Sequence, residues 1–192
     1  MVAKLLCALL VALQSMPVIA EPAARAPSTC ATQAQPGRDG QHDFDFEIGT
    51  WTTKLRRLQN PLSGSTTWVD YEGTSIVREI LNGRANLVEL DVEGASGRIE
   101  GLSLRLYDAE ARQWSLNFAG ARSGVLTPPV YGGFNGNCGE FYGQDTLNGR
   151  AILVRFVISE IEPDSARFEQ AFSIDGGRTW EVNWIAIDTR RR

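Results

Sequence analysis

The chain has 192 residues, of which 43% are hydrophobic and 22% charged, a composition typical of one soluble globular domain. It carries 19 Lys and Arg against 23 Asp and Glu, and this acidic balance argues against a nucleic-acid partner, which would require a basic face. The one His and three Cys show no recognised ligand spacing, so we predict no metal site and expect no cofactor.

The first 20 residues have the layout of a secretory signal peptide. Lys4 precedes an apolar run over residues 5–13, and the small-residue ending Val18-Ile19-Ala20 favours cleavage after Ala20. The apolar run is too short for a permanent membrane span, although a buried N-terminal helix remains an alternative. We therefore expect an exported protein, periplasmic or extracellular, with no stable membrane span after cleavage.

A leader without apolar periodicity follows. Residues 21–41 are rich in Pro, Ala, Gly and Gln, which is typical of a flexible segment, and the folded domain is expected over residues 42–192. Cys30 in the leader and Cys138 in the domain could pair in an oxidising compartment. Because two cysteines so far apart define no disulfide framework, the unpaired alternative stays open.

The domain begins with an acidic, aromatic segment that runs into Gly49-Thr50-Trp51. His42 and its neighbouring acids raise the question of a metal site, but a short helical turn with acids outside and phenylalanines inside is the better interpretation. Gly allows close approach of backbone, and a Trp behind it can close the end of a sheet. We predict that four residues plug one end of the domain, which leaves the other end for a ligand: Phe44, Phe46, Gly49 and Trp51.

From Trp51 onward, apolar and polar residues alternate between turn signals. About ten strands are predicted, near 51–58, 67–78, 86–92, 99–107, 113–120, 130–135, 139–146, 150–160, 165–174 and 179–188. No segment has a helical period of useful length. Sequential antiparallel strands would leave long edges in an open sheet, and closure into an up-and-down barrel removes them. A two-sheet β-sandwich is the alternative fold.

Turn geometry predicts which residues share the inner face. The hairpin signals Asn82-Gly83 and Asn148-Gly149 place Val77 opposite Val88 and Phe141 opposite Phe156. The turns on either side of residues 99–107 place three leucines inside, opposite Leu90, Leu116 and Trp114: Leu102, Leu104 and Leu106. The last turns place Phe156 and Trp184 on either side of Gln170, and Phe172 opposite Val182.

Residues 120–139 interrupt the alternation with Pro128-Pro129 and a cluster of glycines. Such residues break a sheet or let a loop fold over a rim, so a lid at the barrel mouth and poor order are alternative interpretations. Arg122 and Tyr131 in this segment, and Tyr142 beyond it, are secondary candidates for ligand contact.

Gln170 is the conspicuous polar residue of the predicted inner face. A buried amide needs partners, and an amide within an aromatic lining is typical of a pocket, although a filled core with a water-bonded Gln is the alternative. The candidate ligand contacts are Gln170, Trp184, Phe156, Trp114 and Phe172. Arg155, Glu169 and Asn183 fall on the opposite face, where they form a solvated ladder unless a bulge turns them inward.

Several motifs carry a resemblance to known barrels. They are Asp43-Phe44-Asp45-Phe46, Gly49-Thr50-Trp51, and residues 104–108, 114–116, 167–173 and 175–181. Together they resemble an uncharacterised family of bacterial calycin-like domains, related to lipocalins and fatty-acid-binding barrels. The resemblance implies a barrel with an internal cavity and no established activity. Nitrobindin-like members hold haem with a late His, whereas the single His here is His42, so a haem is not expected.

Two other patterns are interpreted as structural. Residues 173–180 resemble the Asp-box of sialidase-type propellers, but one copy fits a hairpin loop in which Asp175 bonds the backbone. The terminal Arg190-Arg191-Arg192 is expected to be solvated.

The sequence thus predicts an exported β-barrel that binds a small, largely apolar ligand inside. The sequence contains no Gly-x-Ser-x-Gly motif and no Cys/His pair, so nucleophilic catalysis is not indicated. One alternative is therefore an enzyme that uses a carboxylate such as Glu169 or Glu140 for isomerisation or hydrolysis. The other is a structural or interaction module with a filled core.

Overall fold

The computed structural model describes Cys30 and residues 38–192. The predicted signal peptide and most of the predicted leader lie outside the described residues. Cys30 forms a disulfide with Cys138, and their Cα atoms are 5.6 Å apart. Across the described residues there is no helix with the length and hydrophobicity needed to cross a bilayer.

The described chain is a closed antiparallel barrel. A 3-10 turn, Asp45–Glu47, precedes ten strands: β1 (Gly49–Leu58), β2 (Trp68–Ile80), β3 (Ala85–Gly94), β4 (Gly97–Asp108), β5 (Gln113–Gly120), β6 (Val130–Asn135), β7 (Cys138–Leu147), β8 (Arg150–Glu162), β9 (Ser165–Ser173) and β10 (Glu181–Arg190). Each strand pairs with the next in sequence, and β1 closes on β10. The predicted up-and-down barrel and its short N-terminal helical turn are confirmed, and the sandwich alternative is wrong.

The two Asn-Gly hairpins have the backbone that their sequences predict. Asn82 and Gly83 have φ of 54° and 78°, and Asn148 and Gly149 have φ of 51° and 78°. Positive φ at both central residues matches the twist of the flanking strands. The predicted pairs Val77 with Val88 and Phe141 with Phe156 are therefore correct.

The predicted inner face of β4 is wrong by one residue. Gly94 pairs with Gly97 around a two-residue turn, and Asp108 pairs with Gln113 beyond a turn in which its carboxylate accepts two backbone N–H groups. A shift of one residue moves every side chain to the other face. The three leucines Leu102, Leu104 and Leu106 are consequently on the outside, where Leu102 and Leu106 are each 36% exposed. Ser103, Arg105 and Tyr107 point inward instead.

A bulge in β10 changes the other predicted register. Ala171 pairs with Val182 and Gln170 pairs with Trp184, so Asn183 is an extra residue between the two pairs. Gln170 therefore faces Trp184 as predicted, but Phe172 faces Glu181 instead of Val182. A bulge re-aims the side chain of the extra residue, and Asn183 is buried as a result.

One end of the barrel is filled by residues 40–48, which we call the plug. The ring of Phe44 lies 4.9 Å from those of Trp114 and Phe134, in edge-to-face contacts. The indole of Trp51 donates to the carbonyl of Glu47 at 2.6 Å, and Phe44 and Trp51 are each 1% exposed. The plug belongs partly to the predicted leader, since the backbone of Gly40 bonds Tyr107 and Trp114.

The C-terminal arginines hold the plug, so the expectation of a solvated tail is wrong for Arg190. Its guanidinium donates to the carbonyls of Phe46, Ile48 and Pro163 and lies 4.1 Å above the ring centre of Trp51. Gly49 makes room for this contact: its φ is 134°, and a Cβ there would lie 2.9 Å from the guanidinium. The backbone N–H of Arg191 donates to the carbonyl of Thr50.

Candidate functional site

A cavity of about 380 Å³ occupies the barrel above the plug. Its lining includes Pro61 from the β1–β2 loop and Thr127 and Pro128 from the β5–β6 loop, and both loops lie at the end opposite the plug. The mouth of the cavity is therefore at that end. Residues 121–129 of the predicted lid form a loop at this mouth, whereas residues 130–139 form all of β6, the turn after it and the start of β7.

Aromatic rings form one wall of the cavity. Phe156, Phe168, Phe172 and Trp184 come from the three adjacent strands β8, β9 and β10. Phe156 and Phe168 meet edge to face with ring centres 5.1 Å apart. This wall follows from the alternation that the sequence shows in these strands, because side chains two residues apart share a face.

An amide pair interrupts the aromatic wall. Gln170 Nε2 donates to Asn183 Oδ1 at 2.7 Å, and Asn183 is 2% exposed. The two residues are neighbours inside the barrel because of the β10 bulge, which turns Asn183 toward the cavity. Gln170 thus has a side-chain partner, as a buried amide requires.

An ion pair lies at the floor of the cavity, next to the plug. Both guanidinium Nη atoms of Arg105 donate to the carboxylate of Glu47, one at 3.2 Å and the other closer. The two side chains are 8% and 13% exposed. The guanidinium carbon of Arg105 also lies 4.3 Å above the ring centre of Phe44. Arg105, an inward-facing residue of β4, therefore connects the cavity floor to the plug.

A second carboxylate, Asp188, lines the same floor. The hydroxyl of Thr53 donates to Asp188, which faces it across the β1–β10 pair, and the hydroxyl of Ser75 lies 2.6 Å from that of Thr53. Because the proton of Thr53 is used on Asp188, Ser75 donates to Thr53. The pKa of Asp188 is raised to about 6. Burial is the main cause and the charge of Glu47 adds to it, while the hydrogen bond from Thr53 and the charge of Arg105 act in the opposite direction.

The structure brings four of the predicted contacts into the cavity lining: Gln170, Trp184, Phe156 and Phe172. Trp114 lies in the core against the plug, at 1% exposure. Arg122 is exposed in the turn after β5, and Tyr131 and Tyr142 are about half exposed on the outside of the barrel. These four residues are not among those that line the cavity.

Three residues were predicted on the outer face of the barrel, and the β10 bulge turns one of them, Asn183, inward. Asn183 enters the cavity, while Arg155 stacks its guanidinium 4.8 Å from the ring centre of Trp180 outside the barrel. Glu169 forms an ion pair with Arg167 and, like Glu140, is not part of the cavity lining. The two carboxylates considered for catalysis are thus outside the cavity.

The floor residues Glu47, Arg105 and Asp188 were missed in the sequence. Two of them could have been found from strand alternation, which places every second residue on the same face. The inward-facing residues are Ser103, Arg105 and Tyr107 in β4 and Trp184, Ala186 and Asp188 in β10. The leucines of β4 form the stronger apolar phase and mask the first of these two alternations. Within the described residues, no group of three or more His, Cys, Asp and Glu side chains is arranged to hold a metal ion.

The Asp-box loop has the structural arrangement that its sequence predicts. Asp175 accepts hydrogen bonds from the side chain and the backbone of Thr179 and from the side chain of Ser173. These bonds hold the pKa of its carboxyl well below its usual value. Gly176 and Gly177 have φ of 75° and 84°. The loop is a hairpin connection from β9 to β10.

Comparisons with known proteins support the fold. No family model and no curated protein sequence matches the chain. Among solved structures, the S-type phycobiliprotein lyase CPES from Guillardia theta is 13% identical with a TM-score of 0.54, over 81% of this chain and 94% of that one. Rv2717c from M. tuberculosis is 12% identical with a TM-score of 0.55, over 81% and 99%. At these identities the likeness shows the fold alone, a closed antiparallel barrel.

Proposed function

We propose that this protein is an exported barrel that binds a small, largely apolar molecule in its interior. The observation that carries the proposal is the cavity of about 380 Å³, with an aromatic wall broken by the inward amide pair Gln170 and Asn183. Pockets for small ligands are typically concave and mostly apolar, with a few polar groups that orient the ligand.

The cavity distinguishes this proposal from a filled-core module. A filled barrel interior would leave few voids larger than a water molecule, whereas this cavity lies within the range of volumes that hold small ligands. The enzyme alternative through Glu169 or Glu140 has no geometric support, because neither side chain lines the cavity.

Export is supported by two features of the chain. The first 20 residues have the layout of a signal peptide, and the structure contains a disulfide between Cys30 and Cys138. Disulfides persist in oxidising compartments and are rare in the cytosol. The proposed site of action is therefore the periplasm or the extracellular space.

A fluorescence titration tests interior binding. Adding a neutral lipophilic fluorophore should quench Trp184 emission in a saturable way, because Trp184 lines the cavity. Trp184→Phe should remove most of this response, whereas Trp180→Phe, which changes an indole outside the cavity lining, should retain it. A response that does not saturate, or that is the same in both variants, contradicts the proposal.

The amide pair has a separate test. Gln170→Leu keeps the approximate volume but removes the hydrogen-bonding group, which should weaken ligands that carry a donor by about 1 kcal/mol. Purely apolar ligands should bind the variant as well as or better than the unmodified protein. Isothermal titration with a matched alcohol and hydrocarbon measures the difference, and an equal loss for both ligands would show that the amide acts only on the fold.

A further inference from the structure

Asp188 is a carboxylate inside the barrel without a cationic partner among the described residues. Its one side-chain hydrogen bond in this part of the chain comes from the hydroxyl of Thr53. The guanidinium whose charge lowers the pKa of Asp188, that of Arg105, donates to Glu47 through both Nη atoms. A charge taken out of water is costly unless it is paired, so the floor of the cavity has an unmatched negative charge when Asp188 is ionised.

The other charged groups of the lining do not supply this partner. They are Glu47, Arg57, Arg105, Asp145, Arg167 and Asp188. Arg57 is exposed, with its guanidinium 5.8 Å from the ring centre of Trp184, and that of Arg167 pairs with Glu169. Ser75 and Thr53 contribute hydroxyls, and Ala166 of β9, opposite Asp188, contributes no charge.

We infer that the cavity takes an amphiphile with a protonated amine, whose ammonium group pairs with Asp188 while its apolar body lies against Phe156 and Phe168. This inference deepens the proposed function and rests on it. The sign of the charge follows from the floor groups: Glu47 and Arg105 neutralise each other, and Asp188 adds one negative charge. A carboxylate head group would be repelled by the ionised Asp188.

The titration of Asp188 makes the preference dependent on pH. Burial raises its pKa to about 6, so the carboxyl is mostly ionised at neutral pH and mostly protonated one unit below that value. An ammonium ligand favours the ionised form and should lower this pKa on binding. The advantage of the amine is therefore expected above the pKa of Asp188 and should fade below it.

Three matched ligands test the inference by isothermal titration of the mature, disulfide-bonded protein: naphthylethylamine, naphthylethanol and naphthylacetate. At about pH 7.5 the amine should bind about tenfold more tightly than the alcohol, and the acid more weakly than both, as expected for a charge-assisted hydrogen bond. At about pH 5 the amine and the alcohol should bind within about threefold of each other.

Two variants test whether the preference for the amine depends on the carboxylate of Asp188. Asp188→Asn should bind the amine and the alcohol within about threefold at both pH values. Asp70→Asn removes the same charge from an exposed position in the outward phase of β2 and should retain the tenfold preference. Thermal unfolding of both variants verifies that they are folded.

The outcomes separate this inference from the proposed function. Equal binding of amine and alcohol by the unmodified protein, or a preference that survives Asp188→Asn, overturns the inference and leaves interior binding intact. Failure of all three ligands to bind overturns the proposed function and the inference together.

Discussion

At the scale of single residues, Asp188 links the cavity to the stability of the barrel. Its pKa is raised from 3.8 to about 6, so the folded protein holds this proton more tightly than the unfolded chain does. The stability contributed by the protonated form is present below about pH 4 and is lost as the pH rises through about 6. The ionised carboxylate then reduces the free energy of unfolding by about 3 kcal/mol.

Asp188→Asn removes this titration. The variant should be more stable than the unmodified protein above about pH 6, by as much as ~3 kcal/mol, and the difference should decrease toward about pH 4. Urea unfolding over this pH series measures the difference, with the exposed Asp70→Asn as the control. A difference that stays constant across the series would mean that Asp188 does not titrate as described.

A second prediction at this scale concerns the contribution of Arg190 to stability. Arg190→Gln removes donors from the carbonyls of Phe46, Ile48 and Pro163 and the cation above Trp51, and should cost about 2–4 kcal/mol of stability. Arg192→Gln changes an exposed side chain and should cost no more than about 0.5 kcal/mol. Chemical denaturation of the two variants compares them, and equal stabilities would contradict the role assigned to Arg190.

At the scale of elements, the plug and the cavity divide the barrel between stability and binding. Trp51→Ala should cost on the order of 3–5 kcal/mol, because it removes a fully buried indole. Its effect on probe affinity should be small, since Trp51 is not part of the cavity lining. Trp184→Ala should show the reverse pattern, with the larger effect on affinity. A Trp51→Ala variant that keeps its stability but loses probe binding would contradict the assignment of Trp51 to the closed end of the barrel.

The predictability of each element depends on how strongly its turns are specified. Asn82-Gly83 and Asn148-Gly149 specify two-residue turns, and their strands have the predicted register. The turns on either side of β4 carry no comparable signal, and its leucines favour an inner face that the structure places outside. Arg105 and Tyr107 face inward because Glu47 and Gly40 bind them, and these contacts are tertiary, so no local pattern reveals them.

The candidate site was predictable only in part for the same reason. Gln170 and its aromatic neighbours follow from alternation in β8 and β9. Asn183 enters through a bulge whose position no turn residue marks, and Asp188 pairs with Thr53 across a closure between the first and last strands. A bulge and a barrel seam are both outcomes of the whole fold rather than of a local sequence.

At the scale of the whole molecule, the disulfide ties a residue that precedes the plug to β7. Cys30 and Cys138 are separated by 108 residues, so the crosslink constrains a long loop in the unfolded chain. Replacing both by Ser should lower the free energy of unfolding by about 2–5 kcal/mol. A reducing agent should lower the thermal midpoint of the unmodified protein and leave that of the double variant unchanged; equal midpoints for the two proteins without reductant would contradict this contribution.

Interior binding is tested most directly by filling the cavity. Ser103 lines the cavity and its neighbour Leu104 points outward, so Ser103→Phe and Leu104→Phe place the same ring inside and outside the barrel. Titration of a neutral lipophilic fluorophore should give saturable binding for the unmodified protein and for Leu104→Phe, and at least about tenfold weaker binding for a folded Ser103→Phe. Equal affinity for all three proteins would contradict interior binding.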